Sequence, residues 1–297
     1  MDDALRAWTQ LSSLHDTEWR ILNVVANSSI RRRKASLRTL QKASSMTADR
    51  AHNMLARLFD KGLLRWESPS RRSLSLTFPG YDILALRALA KNLQVAYLSP
   101  VVTKGKESDF HVATTTTGEE LLFKFYRLGR VSFRSVRLKR DFSRSKLPWV
   151  VLSSRAAARE AEAYRLLGRC GISVPPLVAV ERHVLVLKNI SGSLLQFARH
   201  VDLSLAEKTF DLMRRMYEEA GIVHVDMSPF NVLVGDDGSV YLIDFPQWIP
   251  RSHENVRFYL GRDVKNMVAF FERRKIAADL SQLVKWAEVG TPNGSAA

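Results

Sequence analysis

The sequence predicts an α+β protein made of two parts. Over residues 1–92, segments with apolar residues at helical spacing are followed by two short strand-like segments. From about residue 98 onward, alternating strand-like segments and longer helical segments follow one another. A chain of 297 residues is also long enough for two domains that each bury a core. We therefore expect one domain at 1–92, a second at 93–289 and a disordered tail at 290–297.

The charge balance is strongly basic, with 45 Lys and Arg residues against 30 Asp and Glu residues and a formal net charge of +15. Such a surplus favours polyanionic partners such as nucleic acid or anionic lipid. No apolar stretch approaches the roughly 20 residues that span a bilayer, and the first residues lack the features of a signal peptide. The single cysteine, Cys170, is typical of a reducing compartment. We expect a cytoplasmic protein that does not enter a membrane; the sequence leaves its oligomeric state open.

Residues 1–92 have the element order of a winged helix-turn-helix domain. Three helices are predicted at 17–26, 36–43 and 47–59, two strands at 63–66 and 73–77, and a last helix from 79 to about 91. In this fold the third helix enters a groove of nucleic acid, and the turn between the strands contacts the backbone. Basic residues stand where phosphate contacts are expected: Arg31, Arg32, Arg33, Arg50, Arg57, Arg71 and Arg72. The alternative is a solvated charged face on a module that binds protein.

The second part begins with a predicted hairpin, 109–114 and 119–126, around a Thr-Thr-Thr-Gly turn. Residues 129–147 carry seven basic residues against one acid and are interpreted as a mobile loop. The remaining predicted elements are a helix from Ser153 or Ser154 to Leu167 that Gly168 ends, a strand at 184–187, a helix from a capping box at Ser204 to Ala220 before Gly221, and helices at 262–275 and 280–289.

A string of polar residues near the end of the chain carries the chemistry. His224, Asp226 and Asn231 precede a strand, a Gly-Asp-Asp-Gly turn and a second strand, which ends at Asp244-Phe245. Phosphoryl transfer needs metal ions that neutralise phosphate charge and a carboxylate that orients the nucleophile. Asp226 suits the carboxylate's role, and Asn231 with Asp244 supplies the oxygen ligands that Mg²⁺ (or Mn²⁺) prefers. The spacing matches the kinase signature H-x-D-x-x-x-x-N followed by Asp-Phe, which predicts the use of ATP.

Upstream residues complete this prediction in the expected order. Lys124 lies within an apolar strand, where an ammonium is costly unless a phosphate or a carboxylate meets it. Glu160 in the alanine-rich helix is the preferred carboxylate, and Glu162 is the alternative. Before the first hairpin, a short loop offers backbone N–H groups and a hydroxyl for phosphates. Its candidate residues are Gly105, Lys106 and Ser108.

Together these segments resemble the RIO atypical serine/threonine protein kinases. The similarity rests on Gly-Lys-Glu-Ser-Asp at 105–109, on His-x-Asp to Asn at 224–231 and on Ile-Asp-Phe-Pro-Gln at 243–247. The Lys-Glu-Ser-Asp loop, the Asp-Phe-Pro-Gln tetrad and the winged helix point to the type-2 subfamily. The resemblance implies a compact two-lobed kinase-like (RIO) domain, with an N-lobe at about 93–187 and a C-lobe at about 188–289.

The resemblance also implies a function. Members of the family act in maturation of the small ribosomal subunit, bind pre-ribosomal RNA and ribosomal proteins, and behave largely as ATPases. An aspartyl-phosphate intermediate is implied on the metal-binding aspartate, here Asp244, and serine autophosphorylation is associated with the family. The implied catalytic residues are Asp226, Asp244 and Lys124, with ATP and Mg²⁺ as cofactors.

Some positions depart from the family pattern or have a structural interpretation. Val225 stands where glycine is common, Thr103 replaces an expected glycine, and no glutamate follows the strand that ends at Leu187. We expect His224 to orient the loop around Asp226 rather than to transfer protons. Asp263 is expected to brace the same loop.

Two other functions remain as alternatives. A small-molecule kinase of the aminoglycoside or choline type shares the central signature, but it should lack a winged helix and carry a longer helical insert. The other alternative is a nucleic-acid-binding regulator with a degenerate kinase domain. The presence of Lys124, Asp226, Asn231 and Asp244 argues against degeneration.

Overall fold

The computed structural model describes residues 1–31, 33–44, 47–67, 73–128, 148–276 and 280–289. The chain forms two compact units, Met1–Ala158 with Val178–Leu187 and Arg159–Leu177 with Lys188–Ala297. The loop predicted at 129–147 and the tail predicted at 290–297 lie outside the described residues. The domain boundaries that the sequence suggests stay predictions.

The first unit begins with a winged helix, which confirms the predicted fold of this region. Its elements are α1 (Asp3–Trp8), α2 (Asp16–Ile30), α3 (Leu37–Ser44), α4 (Ala48–Asp60), β1 (Leu64–Trp66), β2 (Leu74–Leu76) and α5 (Phe78–Asn92). The wing strands β1 and β2 pair antiparallel, with Leu64 opposite Leu76. Thr77 caps α5 by accepting a hydrogen bond from the backbone N–H of Gly80. The sequence did not predict α1.

The same unit contains a six-stranded sheet. Its strands are β3 (Val95–Leu98), β4 (Thr103–Lys104), β5 (Ser108–Thr115), β6 (Glu120–Tyr126), β7 (Leu177–Glu181) and β8 (Val184–Lys188). The order is β3-β5-β6-β8-β7, and β4 pairs with β5 at the sheet edge. The predicted hairpin is β5–β6, where Gly118 takes a positive φ of 83° that few side chains tolerate. Of the residues expected to hold phosphates, Lys124 lies on β6, Gly105 and Lys106 lie in the β4–β5 connection, and Ser108 begins β5.

Winged helix and sheet share one hydrophobic core. Leu22 of α2 and Ile83 of α5 belong to the same buried cluster as Phe123 and Phe125 of β6. Burial of such side chains stabilises the fold by about 1.5–3 kcal/mol each. Because the core is continuous, a change in the packing of α5 acts directly on the sheet.

A cluster of charged residues lies within this core. Arg127, which follows β6, is 1% exposed, and Asp82 of α5 is fully buried. The guanidinium of Arg127 donates two hydrogen bonds to Asp82, at 2.5 Å from Nη1 and 2.8 Å from Nη2, and its Nε donates to Asp109 at 3.1 Å. One cation therefore serves two carboxylates, and breaking such a buried pair typically costs about 3–5 kcal/mol.

His183, in the turn between β7 and β8, completes the cluster. Its Nε2 lies 2.8 Å from Oδ1 of Asp82, and its ring stacks on Tyr81 with centroids 4.5 Å apart. Burial lowers the pKa of His183 below its usual 6.5, although the Asp82 carboxylate acts in the opposite direction. The imidazole is therefore neutral near pH 7, with Nε2–H as the donor to Asp82.

The second unit surrounds a short sheet with helices. It contains most of α6 (Trp149–Arg169), then β9 (Gly192–Leu194), α7 (Leu203–Glu218), β10 (Ile222–Val223), β11 (Val232–Gly235), β12 (Val240–Leu242), β13 (Ile249–Pro250), α8 (Val256–Arg273) and α9 (Leu280–Val289). Strands β12, β11 and β9 form one antiparallel sheet, and β10 pairs with β13. Within the described ranges, no helix has the length and apolar character needed to cross a membrane.

The boundaries of α6 differ from the prediction. The helix begins at Trp149, so Ser153 and Ser154 lie within it instead of capping it. Ser154 donates to the carbonyl of Val150, and the hydroxyl of Ser153 accepts from the backbone N–H of Leu128. The helix also continues through Gly168, and the left-handed residue that follows its end is Gly171, with φ of 63°.

Two further helix starts were wrong. The N-cap of α7 is Asp202, whose Oδ1 accepts from the N–H of Leu205 at 2.9 Å, rather than Ser204. Both residue types are good caps, so composition did not separate them. Helix α8 begins at Val256, six residues before the predicted start at 262. Helix α7 ends at Glu218, two residues before the predicted end at Ala220, although Gly221 takes the expected left-handed conformation, with φ of 67°. The bounds of α9 are confirmed.

We expect His183→Gln to reduce the loss of stability on acidification. Below pH 6.5 this histidine is protonated in the unfolded chain but not in the folded chain. The free energy of unfolding therefore decreases as the pH is lowered, by up to about 1.4 kcal/mol per pH unit. Glutamine keeps an N–H for Asp82 and does not titrate. Urea unfolding between about pH 7.5 and about pH 5.5 measures the difference. His200→Gln, at an exposed position, is the control; equal acid losses in His183→Gln and the wild type contradict the assignment.

Candidate active site

The loop between β10 and β11 presents Asp226 to solvent and holds Asn231 beneath it. Asp226 is exposed, whereas Asn231 is 8% exposed. The side-chain Nδ2 of Asn231 donates to the backbone carbonyl of Asp226 at 2.7 Å. Because the amide nitrogen is committed to this bond, the orientation of the amide oxygen is fixed. The loop therefore offers one carboxylate and one oriented amide oxygen, five residues apart.

Asp244 follows β12 in an unusual backbone conformation, with φ of 68°. Its N–H donates to the hydroxyl of Tyr164 at 3.3 Å, and the N–H of Phe245 donates to Oε1 of Glu160 at 3.2 Å. Both acceptors lie on α6, and Glu160 is fully buried. Helix α6 thus holds the backbone that carries the half-buried Asp244 side chain.

His224 ties these two acidic segments together. It is fully buried, its Nε2 lies 3.0 Å from the carbonyl of Ile243, and its Nδ1 accepts from the N–H of Asp226 at 3.3 Å. A carbonyl only accepts, so Nε2 carries the proton and the ring is the neutral tautomer. These contacts place His224 under the loop, as expected; that it does not transfer protons stays a prediction.

Asp263 of α8 braces the same loop from below. Its carboxylate accepts from the N–H groups of Val225 at 2.7 Å and Met227 at 3.2 Å. Two neighbours on α8 bind the opposite backbone groups: Arg262 donates to the carbonyl of Val225, and Asn266 donates to that of Met227 at 3.2 Å. Burial raises the pKa of Asp263, although the two N–H groups that donate to its carboxylate act in the opposite direction. The predicted bracing role is confirmed.

The brace holds Val225 in the left-handed region, with φ of 73°. A β-branched residue is strained there, at a cost of about 1–2 kcal/mol or more. This is the position at which the resemblance to the kinase family led us to expect glycine. The N–H of Val225 donates to Asp263 and its carbonyl accepts from Arg262, and these two bonds explain how the conformation persists.

In the first unit, the predicted phosphate loop is a tight turn between β4 and β5. The N–H of Gly105 donates to the carbonyl of Ser108 at 2.8 Å, and a Cβ at Gly105 would lie 3.1 Å from that oxygen. A side chain at this position would therefore crowd the turn. Lys106 is exposed, and Ser108 is 8% exposed.

Lys124 lies on β6 and is 3% exposed. Its Nζ stands 5.0 Å from the ring centroid of Tyr126 and 5.6 Å from that of Phe110, so aromatic faces line the buried ammonium. Of the two candidate carboxylates on α6, Glu160 is buried and Glu162 is exposed, which favours Glu160. That Lys124 and Glu160 act together stays a prediction.

The predicted metal ligands are consistent with Mg²⁺ chemistry. Among the described residues, no group of three or more His, Cys, Asp or Glu side chains is arranged to hold a metal. Magnesium sites of the ATP-dependent type need only one or two protein oxygens, since phosphates and water complete the octahedron. Asn231 and Asp244 supply this number, and the fixed amide of Asn231 gives one ligand a defined direction.

The basic residues of the winged helix divide into three groups. Arg31, Arg33 and Arg50 are exposed. Arg57 forms an ion pair at 3.2 Å with the fully buried Glu18, so its charge is partly committed to the fold. Arg32, Arg71 and Arg72 lie outside the described residues. Nucleic-acid contact by these residues stays a prediction.

Several supporting residues were not identified from the sequence. Tyr164 and Asn266 bind backbone groups of the site. Both were accessible to pattern analysis, because Tyr164 lies four residues after Glu160 and Asn266 three after Asp263, on the same helical faces. Asp82 and Arg127 gave no such signal.

At Val225 we expect glycine to be tolerated better than alanine. Glycine is normally less stable than alanine within an element by about 0.5–1 kcal/mol. Here the order should reverse by about 1 kcal/mol, because only glycine adopts the left-handed conformation without cost. Urea unfolding of Val225→Gly and Val225→Ala measures this difference. Val223 of β10, which is buried and has no positive φ, is the matched control. If alanine is more stable than glycine at both positions, Val225 is not strained.

Comparisons with known proteins agree with this architecture. Residues 109–283 match the family model of the RIO domain, and residues 11–92 match that of the Rio2 N-terminal domain. The serine/threonine-protein kinase rio2 of Schizosaccharomyces pombe is 36% identical over 202 residues, which are 67% of this chain and 58% of that protein. The RIO-type serine/threonine-protein kinase Rio2 of Methanocaldococcus jannaschii is 29% identical over 210 residues, 68% of this chain and 77% of that protein.

A solved structure extends the similarity to nearly the whole chain. The Rio2 kinase-ADP/Mg²⁺-phosphoaspartate complex from Chaetomium thermophilum aligns with a TM-score of 0.81 at 27% identity, covering 97% of this chain and 90% of that chain. The sequence matches span 38% to 58% of the length of three eukaryotic Rio2 relatives. Since the RIO-domain match alone covers more than half of the sequence, the chain belongs to the RIO family and has an N-terminal domain of the Rio2 type.

Proposed function

We propose that this chain is an Mg·ATP-dependent phosphotransferase, acting as a serine/threonine kinase or ATPase in the maturation of the small ribosomal subunit. The observation that carries the proposal is the arrangement around Asp226. Its carboxylate is exposed, while its backbone is fixed by His224, Asp263 and Asn231. A network that immobilises the backbone and leaves one carboxylate accessible suits a group that orients a nucleophile.

Each candidate residue has a role in this proposal. Asp226 accepts a hydrogen bond from the attacking hydroxyl or water, and Asn231 and Asp244 hold the metal. When bound, Mg²⁺ neutralises the phosphate charge that develops during transfer. The residues proposed to bind the phosphates or to position the lysine are Gly105, Lys106, Ser108, Lys124 and Glu160. The nearly complete burial of Lys124 and the crowded turn at Gly105 support these assignments.

We further propose that Asp244 is the nucleophile of a covalent step. One oxygen of its carboxylate attacks the γ-phosphorus of ATP, the bond to the β,γ-bridging oxygen breaks, and ADP leaves with that electron pair. The resulting acyl phosphate is then hydrolysed by a water that Asp226 orients, which restores the carboxylate and releases phosphate. The structural relative from Chaetomium thermophilum contains a phosphoaspartate with ADP and Mg²⁺, which supports this chemistry.

The proposed partners are precursor ribosomal RNA and ribosomal proteins in the cytoplasm. The net charge of +15 favours a polyanion, and the exposed Arg31, Arg33 and Arg50 are the proposed phosphate contacts. The Rio2-type N-terminal domain argues against a small-molecule kinase of the aminoglycoside or choline type. The fixed, exposed Asp226 argues against a regulator with a degenerate kinase domain.

We expect Asp226→Asn and Asp244→Ala each to lower ATP turnover by at least about 100-fold, because one loses the orienting carboxylate and the other a metal ligand and nucleophile. Thermal unfolding should stay cooperative in both variants. A hydroxylamine-labile ³²P label from γ-labelled ATP should appear in the wild type and be absent in Asp244→Ala. The exposed Asp236→Asn is the charge-matched control. Full turnover in Asp226→Asn and Asp244→Ala removes the assignment.

Neutralising Arg31, Arg33 and Arg50 together to glutamine should weaken RNA binding and reduce its dependence on salt. Each lost phosphate contact reduces the magnitude of the slope of log K against log salt by about 0.7–0.9, so a triple variant should lose about two to three units. Fluorescence anisotropy with a fragment of small-subunit RNA measures this slope. Arg214→Gln, which removes an exposed charge from α7, is the control. Equal slopes in the triple variant and the wild type contradict the winged-helix contact.

A further inference from the structure

We infer that Asp82 and Arg127 are positioning residues for the phosphate-binding loop, so that the winged helix sets the affinity for ATP. The inference rests on the proposed function, in which the loop 105–108 binds phosphates. Asp82 belongs to α5, the last helix of the winged helix. Arg127 directly follows strand β6 of the sheet and contacts the loop and the neighbouring Asp109.

Arg127 holds the loop at two points, one on each side of Ser108. Its backbone N–H donates to the carbonyl of Glu107 at 2.6 Å. Its side-chain Nε donates to Oδ2 of Asp109 at 3.1 Å. Ser108 lies between these anchors, opposite Tyr126 in the β5–β6 register. The position of the Ser108 hydroxyl and of the neighbouring N–H groups therefore depends on where Arg127 stands.

Asp82 in turn determines where Arg127 stands. Both oxygens of Asp82 accept from the two terminal nitrogens of the guanidinium, and this two-point contact fixes the plane and rotation of the group. The rings of Phe125 and Phe78 stand 5.1 Å and 5.5 Å from the guanidinium carbon, which confines it further. With Nη1 and Nη2 directed to Asp82, Nε is directed to Asp109.

The charges reinforce the arrangement. Although burial acts in the opposite direction, Arg127 and His183 lower the pKa of Asp82, so Asp82 remains ionised. His183 is neutral and donates to Asp82, so it adds a hydrogen bond to the carboxylate without a second cation. If Asp82 loses its charge, the buried guanidinium keeps only Asp109 as a charged partner among these residues. The guanidinium is then free to shift towards Asp109, and the position of the adjoining loop changes with it.

A variant that only destabilises α5 should behave differently from one that displaces Arg127. Tyr81, the residue before Asp82, also anchors α5, since its hydroxyl lies 2.7 Å from Oγ of Ser154. Tyr81→Phe removes this anchor and leaves all contacts of Arg127 with the loop in place. Tyr81→Phe is therefore the matched control for loss of stability in α5.

The test measures binding of Mg²⁺ with a non-hydrolysable ATP analogue, and of adenosine, to the full chain by calorimetry. For Asp82→Asn and Arg127→Lys we expect the analogue to bind about 10-fold more weakly and adenosine to bind as to the wild type, because adenosine lacks the phosphates. KM for ATP should rise by a similar factor while kcat stays within about twofold. Tyr81→Phe should bind both ligands like the wild type.

Other outcomes separate the possibilities. Unchanged analogue binding in a folded Asp82→Asn or Arg127→Lys overturns the inference, and so does an equal loss of adenosine and analogue binding. Arg127→Lys retains the charge but not the two-point contact. If Asp82→Asn does not fold, the Arg127→Lys variant alone tests whether this contact positions the loop. A wild type that fails to bind Mg²⁺ with the analogue refutes the proposed function itself, whereas wild-type binding with unchanged variants refutes only the positioning role.

Discussion

The contact between Asp263 and the backbone of the 224–231 loop is the interaction on which the candidate active site depends. The carboxylate accepts from the N–H groups on both sides of Asp226, so one side chain fixes the backbone at two points. Asp263 is 1% exposed, so these bonds are made where water does not compete. An unmade hydrogen bond to a buried charge costs about 1–3 kcal/mol or more, which ties the loop conformation to the fold. Asp226 is exposed and accurately placed because its neighbours are buried and bonded.

In the first unit, too, a buried charged side chain fixes the position of a loop, but here the charge is positive. There a buried guanidinium, Arg127, contacts the backbone of the proposed phosphate loop and the side chain of Asp109 next to it, and a buried carboxylate, Asp82, holds the guanidinium. Buried ion pairs contribute little net stability compared with apolar side chains of similar size. In this chain they instead fix the orientation of the side chains, because a bidentate ion pair allows one orientation and an apolar contact allows many. In both units, then, a buried ionic group defines the place of a polar group that faces solvent or ligand.

The sequence predicted the parts of the molecule whose signals are local. The spacing of Asp226, Asn231 and Asp244 around a hairpin was sufficient to identify candidate ligands, since the turn and the strands between them have strong local preferences. Helix starts were less predictable. Asp202 and Ser204 are both good N-caps, and tertiary contacts decide which hydroxyl or carboxylate is used elsewhere.

Contacts between distant residues could not be predicted from local patterns. Asp82 and Arg127 are 45 residues apart in the chain, and nothing about a lone Asp in an apolar helix or an Arg after a strand indicates that the two will pair. Such an Asp is nevertheless an anomaly, because a charge on the buried face of a helix needs a partner. The sequence therefore indicates that a partner exists without indicating which residue it is.

The strained Val225 shows how accuracy and stability are balanced in the active-site loop. A glycine would adopt φ of 73° at no steric cost, yet it would also enlarge the set of conformations that the unfolded loop explores. Valine costs about 1–2 kcal/mol in the folded loop, and its side chain, only 8% exposed, recovers a comparable amount through burial. The steric cost and the gain from burial therefore nearly cancel in the free energy of unfolding. The loop is nevertheless more rigid with valine, because a buried β-branched side chain resists rotation of the backbone on either side. Together with Asp263 and Arg262, the valine therefore confines the backbone next to Asp226 more tightly than a glycine does, and a carboxylate that is proposed to orient a nucleophile benefits from that confinement.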